Sequence, residues 1–259
     1  MKIFRNIRQK LAAENKVMAY LRYAVGEIVL VVIGILIALQ INNWNLNRIQ
    51  NQNIISSLRE IENDLKLDTA SFNIDINRYK KSIDNGKKLL LMKNFSKLTA
   101  DSITSMMPLS AAVSDINHQG YEKLKIIGVT KILNSESLYN QINEYYTKHY
   151  NRYSAVLKGW EWATTGEENH EIEYNAEYQF PITEEISDSL VLNTVPYTQP
   201  ESERKKMVIK QITSIKGINI FRIAINRKIR VIDMLQKMNK NADSLLMNVQ
   251  NELKIIDND

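Results

Sequence analysis

The chain has 259 residues and no cysteine, so disulfides and thiolate metal sites are excluded. Its 8 glycines and 4 prolines leave few places for tight hairpins, and an abundance of Ile, Leu, Lys, Glu, Gln and Asn suits long helices, so the expected class is all-α. The formal charge of +5 is not the footprint of a nucleic-acid binder: Lys2, Arg5, Arg8, Lys10, Lys16 and Arg22 precede the first apolar run, opposed there only by Glu14, and the remainder is close to neutral.

In chain order, residues 1–23 form a basic leader in which Ile3, Phe4, Ile7 and Leu11 recur at helical spacing, as in a short helix lying on an anionic inner leaflet. Residues 24–41 follow as a transmembrane helix. Ile28 to Leu39 reads IVLVVIGILIAL without a polar face, and roughly 18 apolar residues span about 27 Å. No small-residue cleavage site follows, which disfavours a signal peptide. Cations crowd the N-terminal flank and only Arg48 lies close on the other side. That bias places the N-terminus in the cytoplasm and the rest in the periplasm of a bacterial inner membrane. Trp44 on one side and Tyr20 and Tyr23 on the other stand where interfacial aromatics belong. Glu27 lies at the edge of the hydrocarbon, either as a functional intramembrane acid or as a boundary residue directed toward Arg22. Gly26, Leu30, Gly34 and Ala38 form a small-residue stripe of the kind that lets spanning helices approach, so Gly26, Glu27, Gly34 and Ala38 are candidate intramembrane contacts of a homodimer.

The block GEIVLVVIGILIALQINNWN from Gly26 to Asn45, with ENK and LRYA before it, resembles the start of an uncharacterised family of Bacteroidota membrane proteins, known only as a domain of unknown function. GYEKLKIIGVTKIL and SLYNQINEYY, between Gly120 and Tyr146, resemble an internal motif of that family. The resemblance implies an anchor and a compartment; it brings no activity, cofactor or catalytic residue.

Residues 42–259 are expected to form a long-helix bundle, coiled-coil-like and extracytoplasmic. Ile54, Leu58, Ile61, Leu65, Phe72, Ile76, Tyr79, Ile83 and Leu90 follow helical intervals, with Asp68 on the seam and a stutter near Phe72. This long amphipathic helix serves either an intramolecular bundle or a dimer. Residues 93–119 read as irregular, with at most a short helix near Pro108. Asn117 is a candidate N-cap for a helix stopped by Gly128, and Asn134 or Ser135 for the next, which runs to about Ala163. Residues 166–200 read as a long acidic loop holding a short helix near Glu184 to Leu192. A last helix starts at Glu201, weakens at Gly217 and presents Ile218, Phe221, Ile225, Ile229, Ile232, Leu246, Val249 and Leu253 on one face.

Chemistry-bearing motifs are scarce. His118, His149 and His170 with Glu167, Glu168, Glu171 and Glu173 lack the spacing of metal ligands, and no nucleophile elbow or phosphate loop occurs. No catalytic, cofactor-binding or metal residue is assigned and no cofactor is expected. Tyr139, Tyr146, Tyr150, Tyr153 and Trp160 share one helix face, which is either core or a ligand- or partner-docking surface. The expected function is an interaction or scaffold module, not an enzyme, with the bilayer, a second copy and another protein as partners and no nucleic acid. The alternatives are a ligand sensor acting through a partner and an enzyme using the acidic loop.

Overall fold

A periodicity with no breaker before Gly86 yields one helix, α1 (Val17–Leu91), of 75 residues. The computed structural model describes residues 17–109, 114–129, 131–132, 135–163, 172, 175–180, 183–186, 189–192 and 196–258. The basic leader through Lys16 lies outside them, as do residues 164–171, which include the start of the expected acidic loop. The chain separates into two units, Met1–Ser56 and Ser57–Asp259. In the first, α1 carries an 18-residue apolar window of which 0% is buried, and by length and composition it is sufficient to cross a membrane. Gly26, Gly34 and Ala38 are exposed there and Glu27 is half-buried.

In the second unit the remaining elements are α2 (Ala100–Thr104), α3 (Gln119–Ile127), α4 (Glu136–Glu144), a π-turn (Tyr145–His149), α5 (Tyr150–Ala163), a hairpin of β1 (Thr183–Ile186) and β2 (Ser189–Leu192), α6 (Glu201–Thr213) and α7 (Ile215–Asn258). α1 and α7 pair antiparallel. Arg59 meets Asp257 at 2.9 Å, Gln250 donates to Glu62 at 3.0 Å, Asn239 donates to Asn73 at 3.2 Å, and the Lys228 amine lies 5.1 Å from the Tyr79 ring. Leu58, Ile61, Leu65, Phe72, Ile76, Tyr79 and Ile83 are buried within one chain, so this stretch of the seam serves an intramolecular bundle. α4, the π-turn and α5 supply the third long helix against α7. A second core cluster gathers Leu89, Ile103, Met107, Val208, Ile212 and Phe221 under α2 and α6.

Several expectations change. The helix near Glu184 to Leu192 is instead an antiparallel hairpin pairing Thr183 with Leu192 and Ile186 with Ser189. Its Ile, Leu and Val favour extended backbone, and Ser-Asp between the strands is turn-forming in type. The last helix breaks at Ser214, which has extended backbone and whose Oγ accepts the Gly217 amide at 3.0 Å. Gly217 is the consequence of that corner: a Cβ there would lie 2.3 Å from the Gln211 carbonyl oxygen. Ile229 is 47% exposed, because the buried stripe of α7 passes through Lys228 and Val231. α1 continues through Gly86, whose missing side chain admits Pro108 and Ile225. Ser135, not Asn134, caps α4, its Oγ accepting the Leu138 amide at 3.1 Å.

Candidate functional site

Three aspartates on α1 organise the most polar part of the interior. Asp64, Asp68 and Asp75 are spaced by four and seven residues, so they share the seam's face, and all three are buried. Opposite them runs the chain from Ser114 to Gly120, most of it outside regular structure. Its amide N–H groups have no ladder to join, and an unpaired buried amide is costly. The carboxylates take them in order. Ser114 donates to Asp75 Oδ2 at 2.8 Å, Asn117 to Asp68 Oδ1 at 2.8 Å, and Gly120 to Asp64 Oδ2 at 2.9 Å.

This ladder replaces the expected cap. Asn117 is not the N-cap of α3: its Nδ2 donates to Asp68 Oδ1 at 2.9 Å, and His118 stands at the cap without a side-chain bond. Asp64, from another helix, supplies the acceptor, and its charge suits the positive end of α3. The approach is tight enough to exclude any side chain at position 120, since a Cβ on Gly120 would lie 2.4 Å from the Ile61 amide nitrogen.

The aromatic helix closes the other side. In an uninterrupted α-helix Tyr145 would leave the face shared by Tyr139 and Tyr146. The π-turn inserts an extra residue into the period, so Tyr145 and Tyr146 are both buried. Tyr145 donates its hydroxyl to Asp68 Oδ2 at 3.1 Å, and Tyr153 donates to the Ser114 carbonyl at 2.5 Å. Tyr146 stacks on Tyr121 with ring centroids 4.7 Å apart, Tyr153 meets Phe72 edge-on at 5.8 Å, and Tyr150 lies 5.5 Å from the His118 ring. Tyr146 and Tyr153 are thus core, whereas Tyr139 and Tyr150 are half-buried; the Trp160 side chain lies outside the described residues.

Burial dominates the electrostatics. It pushes the Asp68 carboxyl up to about 6 against the lowering effect of its hydrogen bonds from Asn117 and Tyr145, with Asp64 one turn away pushing the same way. Burial also raises Asp64, opposed by the Gly120 amide. Tyr145, Tyr146 and Tyr153 are driven far above the ordinary phenol range, first by burial and then by the neighbouring aspartates. The Tyr146 hydroxyl and His118 Nδ1 are buried with no hydrogen-bond partner among the described residues. The site accepts protons and amide hydrogens and fixes a chain segment.

A second polar node holds the opposite end of the unit. Arg204 of α6 is 1% exposed, donates to the Gln179 carbonyl at 3.1 Å and Glu201 at 3.2 Å, pairs with Asp101, and lies 3.3 Å over the Tyr197 ring. It ties α2, α6 and the segments flanking the hairpin together. No motif marked Arg204, Asp64 or Asp75, and Gly120 and Tyr145 stood out only as parts of the GYEKLKIIGVTKIL and SLYNQINEYY stretches. The spacing of the three aspartates on a single helical face was the available signal for the ladder.

No three His, Asp or Glu residues are placed to hold a metal among the described residues. His149 lies 3.9 Å from Glu144, and His170 is outside the described residues. No curated protein and no solved structure matches the chain. A family profile matches residues 27–161, which takes in most of the apolar window, the aspartate ladder and most of the tyrosine helix, and the chain therefore belongs to the family of unknown function DUF6090.

Proposed function

We propose that the protein is a bacterial inner-membrane scaffold, of the Bacteroidota type its N-terminal block resembles: an interaction module whose span holds a periplasmic helical unit, with the N-terminus in the cytoplasm. The observation that carries this is the inward direction of the polar chemistry. Asp64, Asp68 and Asp75 bond to the protein's own backbone, and Tyr145 and Tyr153 bond to that same assembly. A lattice of this kind rigidifies a surface for contact. A ligand sensor has less support, because Tyr146 and Tyr153 of that face are buried in the core, against Tyr121 and Phe72. Orientation is supported by the cations preceding the span. Association with a second copy is supported by the exposed Gly26 and Gly34, where an added Cβ would meet nothing within 4 Å.

Reporter fusions after Asn53 and after Asp259 test the topology. A periplasmic reporter should be active and a cytoplasmic one silent at both points, and the reverse pattern would remove the compartment from the proposal. Affinity purification of the full chain from native membranes should return a protein in fixed ratio to it. Recovery of the chain alone would count against the scaffold role.

A further inference from the structure

Antiparallel pairing gathers charge that is scattered in the sequence. Arg59 and Asp257 mark one end of the α1–α7 pair. The other end joins the last turns of α1 to the first turns of α7, where Ile225 packs 3.2 Å from the Cβ position of Gly86. Lys205 donates to the Ser96 carbonyl at 3.1 Å, bringing α6 to the same end. Exposed there are Lys87, Lys88, Lys93 and Lys97 from α1 and the chain after it, and Lys206 and Arg222 from α6 and α7. None of these six forms an ion pair among the described residues. The nearby acids are largely engaged: Asp101 and Glu201 by Arg204, Glu177 by Lys210, with Asp84 and Glu203 left exposed.

Two aliphatic side chains protrude among these cations. Leu91, the last residue of α1, is 80% exposed, and Ile215, the first of α7, is 81% exposed. Beside Ile215 opens a groove of about 240 Å³ lined by Ile172, Met207 and Ile220 together with Lys216 and the ion-paired Lys210 and Glu177. Isolated exposed aliphatics are ordinary. Two at one end, among lysines that form no ion pair with the described residues and beside a groove lined in part by apolar side chains, match what an anionic bilayer interface requires, namely headgroup charge neutralised by cations and apolar side chains entering the acyl boundary. A soluble polyanion would use the cations and have no use for Leu91 and Ile215. Lysines outnumber arginines in the set, which suits diffuse attraction to a charged surface better than forked recognition of one group.

We propose that this end of the helical unit docks on an anionic phospholipid surface, with the lysines against the headgroups and Leu91 and Ile215 in the interface. The inference rests on the scaffold reading and names its partner. Full-length protein in phosphatidylcholine nanodiscs is mixed with vesicles of phosphatidylcholine alone or of phosphatidylcholine with phosphatidylglycerol, and the vesicles are floated. Binding to the anionic vesicles should exceed binding to the neutral ones by roughly tenfold or more and fall with salt. It should be lost in Lys87→Glu/Lys88→Glu and sharply reduced in Leu91→Ser/Ile215→Ser, with unchanged circular dichroism in both. Equal binding to the two vesicles overturns the proposal. So does binding that ignores the Leu91 and Ile215 substitutions and is fully displaced by an oligonucleotide, which would identify a polyanion site. The assay contains no cellular compartment, so an error in topology would appear in the reporter fusions and leave it unchanged.

Discussion

The hydroxyl of Tyr145 lies 3.1 Å from the carboxylate of Asp68, joining residues 77 apart in the chain. The same carboxylate accepts the backbone and the side chain of Asn117. One buried acid therefore fixes the position of three elements, and its ionisation is opposed by its own burial.

Asp68→Asn should raise stability at neutral pH. Asn keeps an oxygen for the Asn117 donors and offers its amide to the Tyr145 oxygen. The wild-type carboxyl titrates near 6 when folded against 3.8 as reference, so the folded state binds the proton more tightly. The stability this lends is complete below about pH 4 and is lost as pH rises through about 6, an effect of about 3 kcal/mol. Urea unfolding of a 48–259 fragment at a series of pH values should show that fall in the wild type and its absence in the variant. Parallel profiles would show that Asp68 does not titrate in this window.

Gly120→Ala places a methyl group against the Ile61 backbone, which has no side-chain freedom with which to yield. The expected loss is about 3 kcal/mol, accompanied by weakening of the neighbouring Asp64 bond. Thermal unfolding reads it directly. A neutral result would mean that the chain from Ser114 to Gly120 stands further from α1.

Arg204→Ala leaves Asp101 and Glu201 without their cation and opens the stack on Tyr197. A destabilisation of about 3 kcal/mol is expected, with proteolysis first appearing around the hairpin. If limited digestion of the variant matched that of the wild type, the node would be dispensable.

Self-association through the span predicts a particular crosslinking pattern. In native membranes Ala38→Cys should form disulfide dimers, and adding Gly34→Leu should suppress them. Leu65→Cys should form none, since Leu65 is fully buried inside one chain. Crosslinks at position 65 without any at 38 would move the interface out of the bilayer.

The long elements were legible because their causes are local. An apolar run without a polar face is long enough, by composition alone, to cross a membrane, and the three- and four-residue intervals from Ile54 to Ile83 define a buried stripe wherever the partner lies. Gly128 ends α3 with positive φ of 71°, as a glycine after an apolar helix leads one to expect. Even so, helical period did not reveal the π-turn, because a single inserted residue is chosen by what Tyr145 and Tyr146 gain together in the core.

What the sequence determined by itself was the apolar span, the helical class and the positions of most helices, all set by hydrophobic period and by residues adjacent in the chain. Tertiary structure alone decided that the seam is covered by other elements of the same chain, that Asp64 and not a neighbouring residue caps α3, that the Tyr146 and Tyr153 side chains are core, and that scattered lysines lie at one end. The physical reason is shared by all four. Each depends on which distant group occupies the opposite side of a contact, and period or propensity specifies that a face must be covered without specifying by what.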